Sequence, residues 1–266
     1  MRKPLDEPFA VAPALRDAYE RDGFVRIQRV FDAETLESYA TAISAEVVRR
    51  NAVTAPLEQR DTYHQAFLQV TNLWRTDDVA REFVFGKRLA GIAAALLGVP
   101  RVRLYHDQAL YKEAGGGITP WHADQFYWPL SSDKTITAWV PLQPTPLEMG
   151  PIAFAAGSQR MDFGRDLEIG DRSERSLAKA LASGRFVEDA APFELGEVSF
   201  HSGWTFHHTG TNATERPRAV MTIIYMEDGI RLAPSQRPQH ELDREAFMPG
   251  VREGDVVDSP LNPVLN

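Results

Sequence analysis

The chain has 266 residues, 43% of them hydrophobic and 25% charged, a composition that suits a globular protein large enough to bury a core without staples. Its formal net charge is −8 and no Lys/Arg-rich run is present, so nucleic acid is not an expected partner, because gripping a phosphate backbone calls for a basic excess. Cysteine is absent, which excludes disulfides and thiolate metal sites and leaves histidine and carboxylate as the available metal ligands.

The opening MRKPLDEPFAVAPALRD lacks the continuous apolar run of a signal peptide, and no apolar stretch approaches the roughly 18 residues of a membrane span. The expectation is a cytoplasmic protein with no membrane partner and an oligomeric state that the sequence leaves open. With no internal repeat or low-complexity tract, residues 1–266 read as one domain. It is helix-rich to about 100, a β core from about 101 to 230, and irregular in a Pro-rich, polar tail after Ala233. DGFVRIQRVF (22–31) reads as a short strand entered from a helix. Asp32 is placed to cap a helix on which Leu36, Tyr39, Ile43 and Val47 recur at helical spacing. Leu89, Ile92, Ala93 and Leu96 share the face of a helix over 87–97, stopped by Gly98-Val99-Pro100.

From Arg101 the texture changes to strands. Val102, Leu104, His106, Gln108 and Leu110 alternate with Arg103, Tyr105, Asp107 and Ala109, and Gly115-Gly116-Gly117 punctuates the end. KTITAWVPL (134–142), PIAFAAG (151–157), FELGEVSFHS (193–202), WTFHHTG (204–210) and RAVMTIIYM (218–226) complete the strand set, with a helical insertion over 172–183. Short strands between Gly/Pro turns predict a mainly β fold with flanking helices, a jelly-roll-like core.

Two segments carry chemistry. In WHADQ (121–125), positions i and i+2 of a strand point to one side, so His122 and Asp124 can reach a single ion, and imidazole with carboxylate suits Fe(II), Mn(II) or Zn(II). Alone, His-x-Asp is a common polar pair at a strand end. In FHHTGTNATERPRAV (206–220), His207 and His208 point to opposite faces, so one of them can complete a two-His-one-carboxylate triad. Such a triad leaves coordination positions open, as in non-haem Fe(II) oxygenases.

The second segment resembles the distal motif of the phytanoyl-CoA dioxygenase family, a branch of the Fe(II)/2-oxoglutarate oxygenases: a His, a Ser or Thr two residues on, an Asn, and an Arg eleven residues after the His. Here these are His207, Thr209, Asn212 and Arg218. ERDGFVRI (20–27), YHDQALYKEAGGGITPWHAD (105–124) and TAWVPLQPTPLEMGPIAFAAGSQR (137–160) are similar to further family segments, with Met149 where Asn is commoner. The resemblance runs from about residue 18 to about 226. It implies a double-stranded β-helix, cupin-like fold. It also implies His122, Asp124 and His207 as iron ligands and as the catalytic set, with dioxygen as co-substrate. Arg218 would hold the far carboxylate of 2-oxoglutarate through its planar fork, with Thr209 adding a hydroxyl. Co-substrate contacts are further implied for Gln108, Trp139 and Gln69. Related halogenases carry a small residue where Asp124 stands, so hydroxylation of a small or medium organic molecule, with release of succinate and carbon dioxide, is the expected outcome.

Trp121, Phe126, Tyr127 and Trp128 are the candidates for substrate binding, with core packing as the alternative. His201 reads as a core residue or one behind the metal, His106 as a buried strand histidine, and His64 and His240 as surface. Two competing functions use the same triad. A zinc hydrolase would activate water but would leave Arg218, Thr209 and Asn212 without a purpose. A non-catalytic cupin-like protein would keep the metal for stability.

Overall fold

The computed structural model describes residues 4–184 and 186–266. The N-terminal third is α1 (Pro13–Asp22), β1 (Phe24–Ile27), α2 (Ala33–Arg50), α3 (Thr62–Ala66), β2 (Leu68–Thr71), α4 (Asp78–Val84) and α5 (Lys87–Leu97). There follow β3 (Val102–Lys112), β4 (Thr119–His122), β5 (Thr135–Pro141), β6 (Ile152–Ala155), α6 (Asp171–Ser183) and β7 (Glu188–Asp189). The chain closes with β8 (Val198–Ser202), β9 (His207–Thr209), β10 (Arg218–Glu227) and α7 (Pro238–Phe247). The helices start and stop for local reasons. Pro13 opens α1, the Asp32 side chain accepts from the Thr35 amide at 2.7 Å to cap α2, and Gly98, at φ +67, ends α5.

The strands form two antiparallel sheets, a six-stranded one in the order β1-β8-β5-β10-β3-β2 and a four-stranded one in the order β4-β9-β6-β7. This is the jelly roll of a double-stranded β-helix, mainly β with helices outside. Phe24, Trp139, Ile152, Phe154, Phe193 and Val220 form a packed cluster drawn from both sheets. The N-terminal helices cover the outer face of the larger sheet in one cluster that reaches from Leu5 to Leu265. Leu36 and Ile43 are fully buried there, each contributing roughly 1.5–3 kcal/mol of transfer free energy.

Two expectations need correction. The alternation along β3 changes sides. The β3–β10 register shifts where Tyr225 faces Leu104 and Ile224 faces His106, which makes Tyr105 a β-bulge. Val102 and Leu104 therefore pack with the helix-facing cluster, whereas His106, Gln108 and Leu110 turn into the interior cavity. A period-2 reading cannot detect an inserted residue.

The tail after Ala233 is not irregular throughout. Pro238 at the first helical position starts α7, and His240 is buried, its Nε2 3.0 Å from the Phe126 carbonyl. Farther on, Asn262 Nδ2 donates to the carbonyls of Leu104 and Tyr105, both at 3.1 Å, and Leu104 N donates to Pro263 O at 3.0 Å. The tail thus satisfies the backbone groups around the bulge.

Candidate metal centre and active-site cavity

His122 ends β4 and His207 opens β9, and the two are cross-strand partners with ring centroids 4.2 Å apart. Ala123 stays extended, and Asp124 begins a 3-10 turn (Asp124–Tyr127). The i, i+2 spacing thereby survives past the strand end, and one ligand atom from each of His122, Asp124 and His207 falls within 4.8 Å of the others. Asp124 Oδ1 is 3.6 Å from both His122 Nε2 and His207 Nε2.

The surroundings aim these atoms inward. His122 Nδ1 lies 2.7 Å from Pro120 O, and His207 Nδ1 lies 3.0 Å from Thr205 O. Each Nδ1 is assigned as the donor, which leaves the Nε2 lone pairs facing Asp124. Asp124 Oδ2 accepts from Thr137 Oγ1 at 3.1 Å and His201 Nε2 at 3.2 Å, so Oδ1 remains for an ion. Burial pushes the Asp124 carboxyl up. The facing His207, with the adjacent His122 and the hydrogen bond from His201, outweighs it and holds Asp124 well below the usual carboxylate range. Burial, then the neighbouring His122, hold His207 well below the usual imidazole range, in the neutral form that a metal requires. The donor set fits Fe(II).

His208 faces the other way. Its ring stacks on Trp121 at 4.1 Å, and its Nε2 is 3.0 Å from Glu188 Oε1.

The triad opens into a cavity of about 440 Å³. Arg218, first in β10, lines it and is only 1% exposed. Its Nη1 donates to the Gly150 carbonyl, its Nε has no partner among the described residues, and its guanidinium lies 5.6 Å from the Trp139 ring centre. Gly150 is at φ +62, and a Cβ there would collide with the Gly210 carbonyl, so only glycine lets this turn pass against the Gly210 backbone. Burial lowers Arg218 to about 9, which leaves it cationic at neutral pH. Lys112, opposite Arg218 in the ladder, is lowered to about 6, chiefly by burial and then by Arg218. A buried guanidinium with an unpaired N–H calls for an anion.

Thr209, Gln108, Trp139 and Gln69 also line the cavity. Thr209 Oγ1 donates to Thr119 Oγ1 at 2.8 Å, and Tyr63 Oη donates to Gln69 Oε1 at 2.8 Å, with Gln69 Nε2 passing on to Gln108 Oε1. Asn212 sits outside, its Nδ2 holding the Lys112, Glu113 and Arg216 carbonyls at 2.7–3.2 Å, so it shapes the loop into β10. Of the four aromatic candidates, Tyr127 and Trp128 line the cavity. Trp121 and Phe126 do not: Trp121 packs with Leu177 and Phe206, and Phe126 lies under Arg237 at 4.1 Å.

Several cavity residues escaped the sequence reading: Tyr63, Thr137, Glu168, Asp243 and Phe247. Thr137 had a signal, since it shares a strand face with Trp139 in KTITAWVPL. Asp243 and Phe247 had none, since their i, i+4 spacing places them on one helix face without saying what that face meets. His64, read as surface, is half-exposed at the cavity mouth.

The phytanoyl-CoA dioxygenase family model matches residues 19–220, most of the chain. The chain belongs to the phytanoyl-CoA dioxygenase family. Iron and 2-oxoglutarate are accordingly its metal and co-substrate, and it is a 2-oxoglutarate-dependent dioxygenase. It is 24% identical over 259 residues to the ectoine dioxygenase of Bordetella parapertussis, covering 86% of this chain and 82% of the relative. Among solved structures it is similar to the epimerase SnoN in complex with Fe3+, alpha ketoglutarate and nogalamycin RO. That match is 25% identical with a TM-score of 0.78 and covers 95% of this chain and 98% of SnoN. It also shares its fold with the carbocyclase SnoK from nogalamycin biosynthesis, at 23% identity and a TM-score of 0.79 over 98% of this chain and 100% of SnoK.

Proposed function

We propose that this oxygenase hydroxylates a small or medium, partly apolar organic molecule, with His122, Asp124 and His207 as the iron ligands and Arg218 as the anchor of 2-oxoglutarate. One observation carries the assignment: a buried guanidinium with an unpaired Nε lines the same cavity as the three inward-facing ligand atoms. A zinc hydrolase would give Arg218 nothing to bind.

When bound, the iron supplies the redox chemistry that couples decarboxylation of 2-oxoglutarate to oxidation of a C–H bond. The chain's own residues bind and orient. Arg218 receives the far carboxylate as a bidentate pair, and the Thr209 hydroxyl turns its one proton from Thr119 to that carboxylate. Trp139 walls the Arg218 pocket against water, and Gln108 and Gln69 close its side. His201 and Thr137 hold Asp124 so that a single oxygen faces the ion. Because Asp124 takes a ligand position, a halide has no protein-vacated site, and mass spectrometry of products formed in saturating chloride should show no chlorinated species.

The described residues include no helix long and apolar enough to cross a membrane; with the absent cysteine, this supports a cytoplasmic setting. The cluster joining Leu5 to Leu265 supports reading residues 1–266 as one domain. The test is an anaerobic titration of the Fe(II)-loaded protein with 2-oxoglutarate, followed by the weak visible charge-transfer band. The wild type should develop the band, and Arg218→Gln should need far more 2-oxoglutarate while retaining iron. Equal titrations would remove Arg218 from the site.

A further inference from the structure

We propose that the outer half of the cavity recognises a cationic group, an amine or amidinium, on an otherwise apolar substrate, and that Asp243 is the carboxylate that receives it. This rests on the oxygenase reading above and names the substrate class for it.

Asp243 and Phe247 lie one turn apart on α7, and both line the cavity. The Asp243 carboxylate is fixed at one oxygen only. Its Oδ2 accepts the Tyr105 hydroxyl, and Oδ1 has no hydrogen-bond partner among the described residues. Tyr105 is the bulge residue of β3, so the irregularity in the sheet is what aims its hydroxyl at α7. Burial pushes the Asp243 carboxyl well above its ordinary range, as expected of a carboxylate that lacks its counter-charge. A second carboxylate, Glu168, lines the exposed mouth.

The charge balance points one way. Among the described lining residues Arg218 is the sole Lys or Arg, and it serves 2-oxoglutarate. Iron(II), Asp124, the 2-oxoglutarate dianion and Arg218 together carry no net charge. Glu168 then leaves the mouth negative, and Asp243, which burial biases toward the neutral acid, becomes a carboxylate when a cation comes to pair with it. The walls suit a cation as well: Tyr63, Tyr127, Trp128 and Phe247 offer aromatic surfaces, and cations bind over ring faces. Phe247 stacks on His106 at 3.9 Å with an interplanar angle of 13°. Burial lowers His106 to about 4, so this stretch toward the metal is uncharged at neutral pH and suits an apolar body. A polyol can also stack and hydrogen-bond here, but it offers no positive charge to pair with Asp243 or Glu168.

The experiment compares a matched pair of probes, cyclohexylmethylamine and cyclohexylmethanol, by anaerobic calorimetric titration into the Fe(II)/2-oxoglutarate-loaded protein. The amine should bind about tenfold or more tighter than the alcohol, as for a charge-assisted hydrogen bond. Asp243→Asn should abolish that preference, and its charge-transfer band reports whether the site is intact. Glu168→Gln, at the exposed mouth, should reduce the preference by about threefold at most. Equal affinities in the wild type, or an amine preference that survives in Asp243→Asn, would overturn the proposal, and the wild-type pair decides it alone if the Asn variant does not fold. A wild type that shows no band with iron and 2-oxoglutarate fails earlier, at the oxygenase reading, and takes this inference with it.

Discussion

The two ends of the cavity are built differently. At the metal end, His122, His207 and Arg218 sit on strands, His122 and His207 are cross-strand partners, and the inward groups are steadied by backbone carbonyls or by His201 and Thr137. At the outer end, Tyr63 comes from the short helix α3, Tyr127 from a 3-10 turn, Glu168 from a loop, and Asp243 and Phe247 from α7 in the tail. The contrast separates two tasks. His122, His207 and Arg218 are placed by strands, and Asp124 by the turn that leaves β4, whereas the outer surface proposed to meet the substrate is assembled from elements that can change without disturbing the sheet.

The comparison can be broken by substitutions at either end, with effects that should shrink away from the metal. Asp124→Ala, His122→Ala or His207→Ala should abolish succinate formation and iron retention, measured by coupled assay and metal analysis, whereas His208→Ala should keep iron. Loss of iron from His208→Ala with retention in His207→Ala would exchange their roles. Arg218→Gln should weaken 2-oxoglutarate binding by a few hundredfold or more, since removing one partner of a buried charged pair costs ~3–5 kcal/mol.

One layer farther out, Thr137→Val removes a hydrogen bond to Asp124 without touching the ion, and iron affinity should fall about 10- to 100-fold. Competition against a metal-sensitive dye would measure it, and an unchanged affinity would mean that Asp124 is held by other means. Phe247→Ala should raise the substrate KM about tenfold and increase the succinate formed per substrate oxidised, with 2-oxoglutarate binding little changed. If 2-oxoglutarate binding falls instead, the two ends are not separable.

The smallest effect lies where the ends meet. Burial lowers His106 to about 4, whereas an unfolded histidine titrates near 6.5. Between these values the unfolded chain binds more protons, so stability is full above about 6.5 and declines as pH falls toward 4. This group should cost about 1 kcal/mol by pH 5.5. Thermal melts across that window should show a shallower decline for His106→Phe than for the wild type, and parallel declines would mean that His106 does not stay neutral on folding.

The same contrast explains what could be read from the sequence. Strand periodicity was legible because a ladder converts spacing into geometry, whereas the eleven-residue interval from His207 to Arg218 crosses from one sheet to the other and was legible through the resemblance to the family's distal motif. The Asp32 cap and the Leu36/Ile43/Val47 face of α2 were legible because a helix also turns residue spacing into a face. Tyr105 was not, because a bulge adds one residue without any distinctive side chain, and every position before it changes face. Asp243 and Phe247 were hidden by distance in sequence: nothing in PQHELDREAF marks it as the neighbour of a strand more than a hundred residues earlier. Trp121 in β4 and Phe126 in the 3-10 turn carried the composition of a pocket wall, but Trp121 packs with Leu177 and Phe206 and Phe126 lies under Arg237.

The central claim is that His122, Asp124 and His207 hold iron while Arg218 holds 2-oxoglutarate in the same cavity. The most direct measurement is an iron-edge anomalous difference map from crystals grown anaerobically with Fe(II) and 2-oxoglutarate. The account predicts one peak bounded by His122 Nε2, Asp124 Oδ1 and His207 Nε2, with the far carboxylate of 2-oxoglutarate on Arg218. A peak bound through His208 and Glu188, or 2-oxoglutarate density away from Arg218, would contradict it.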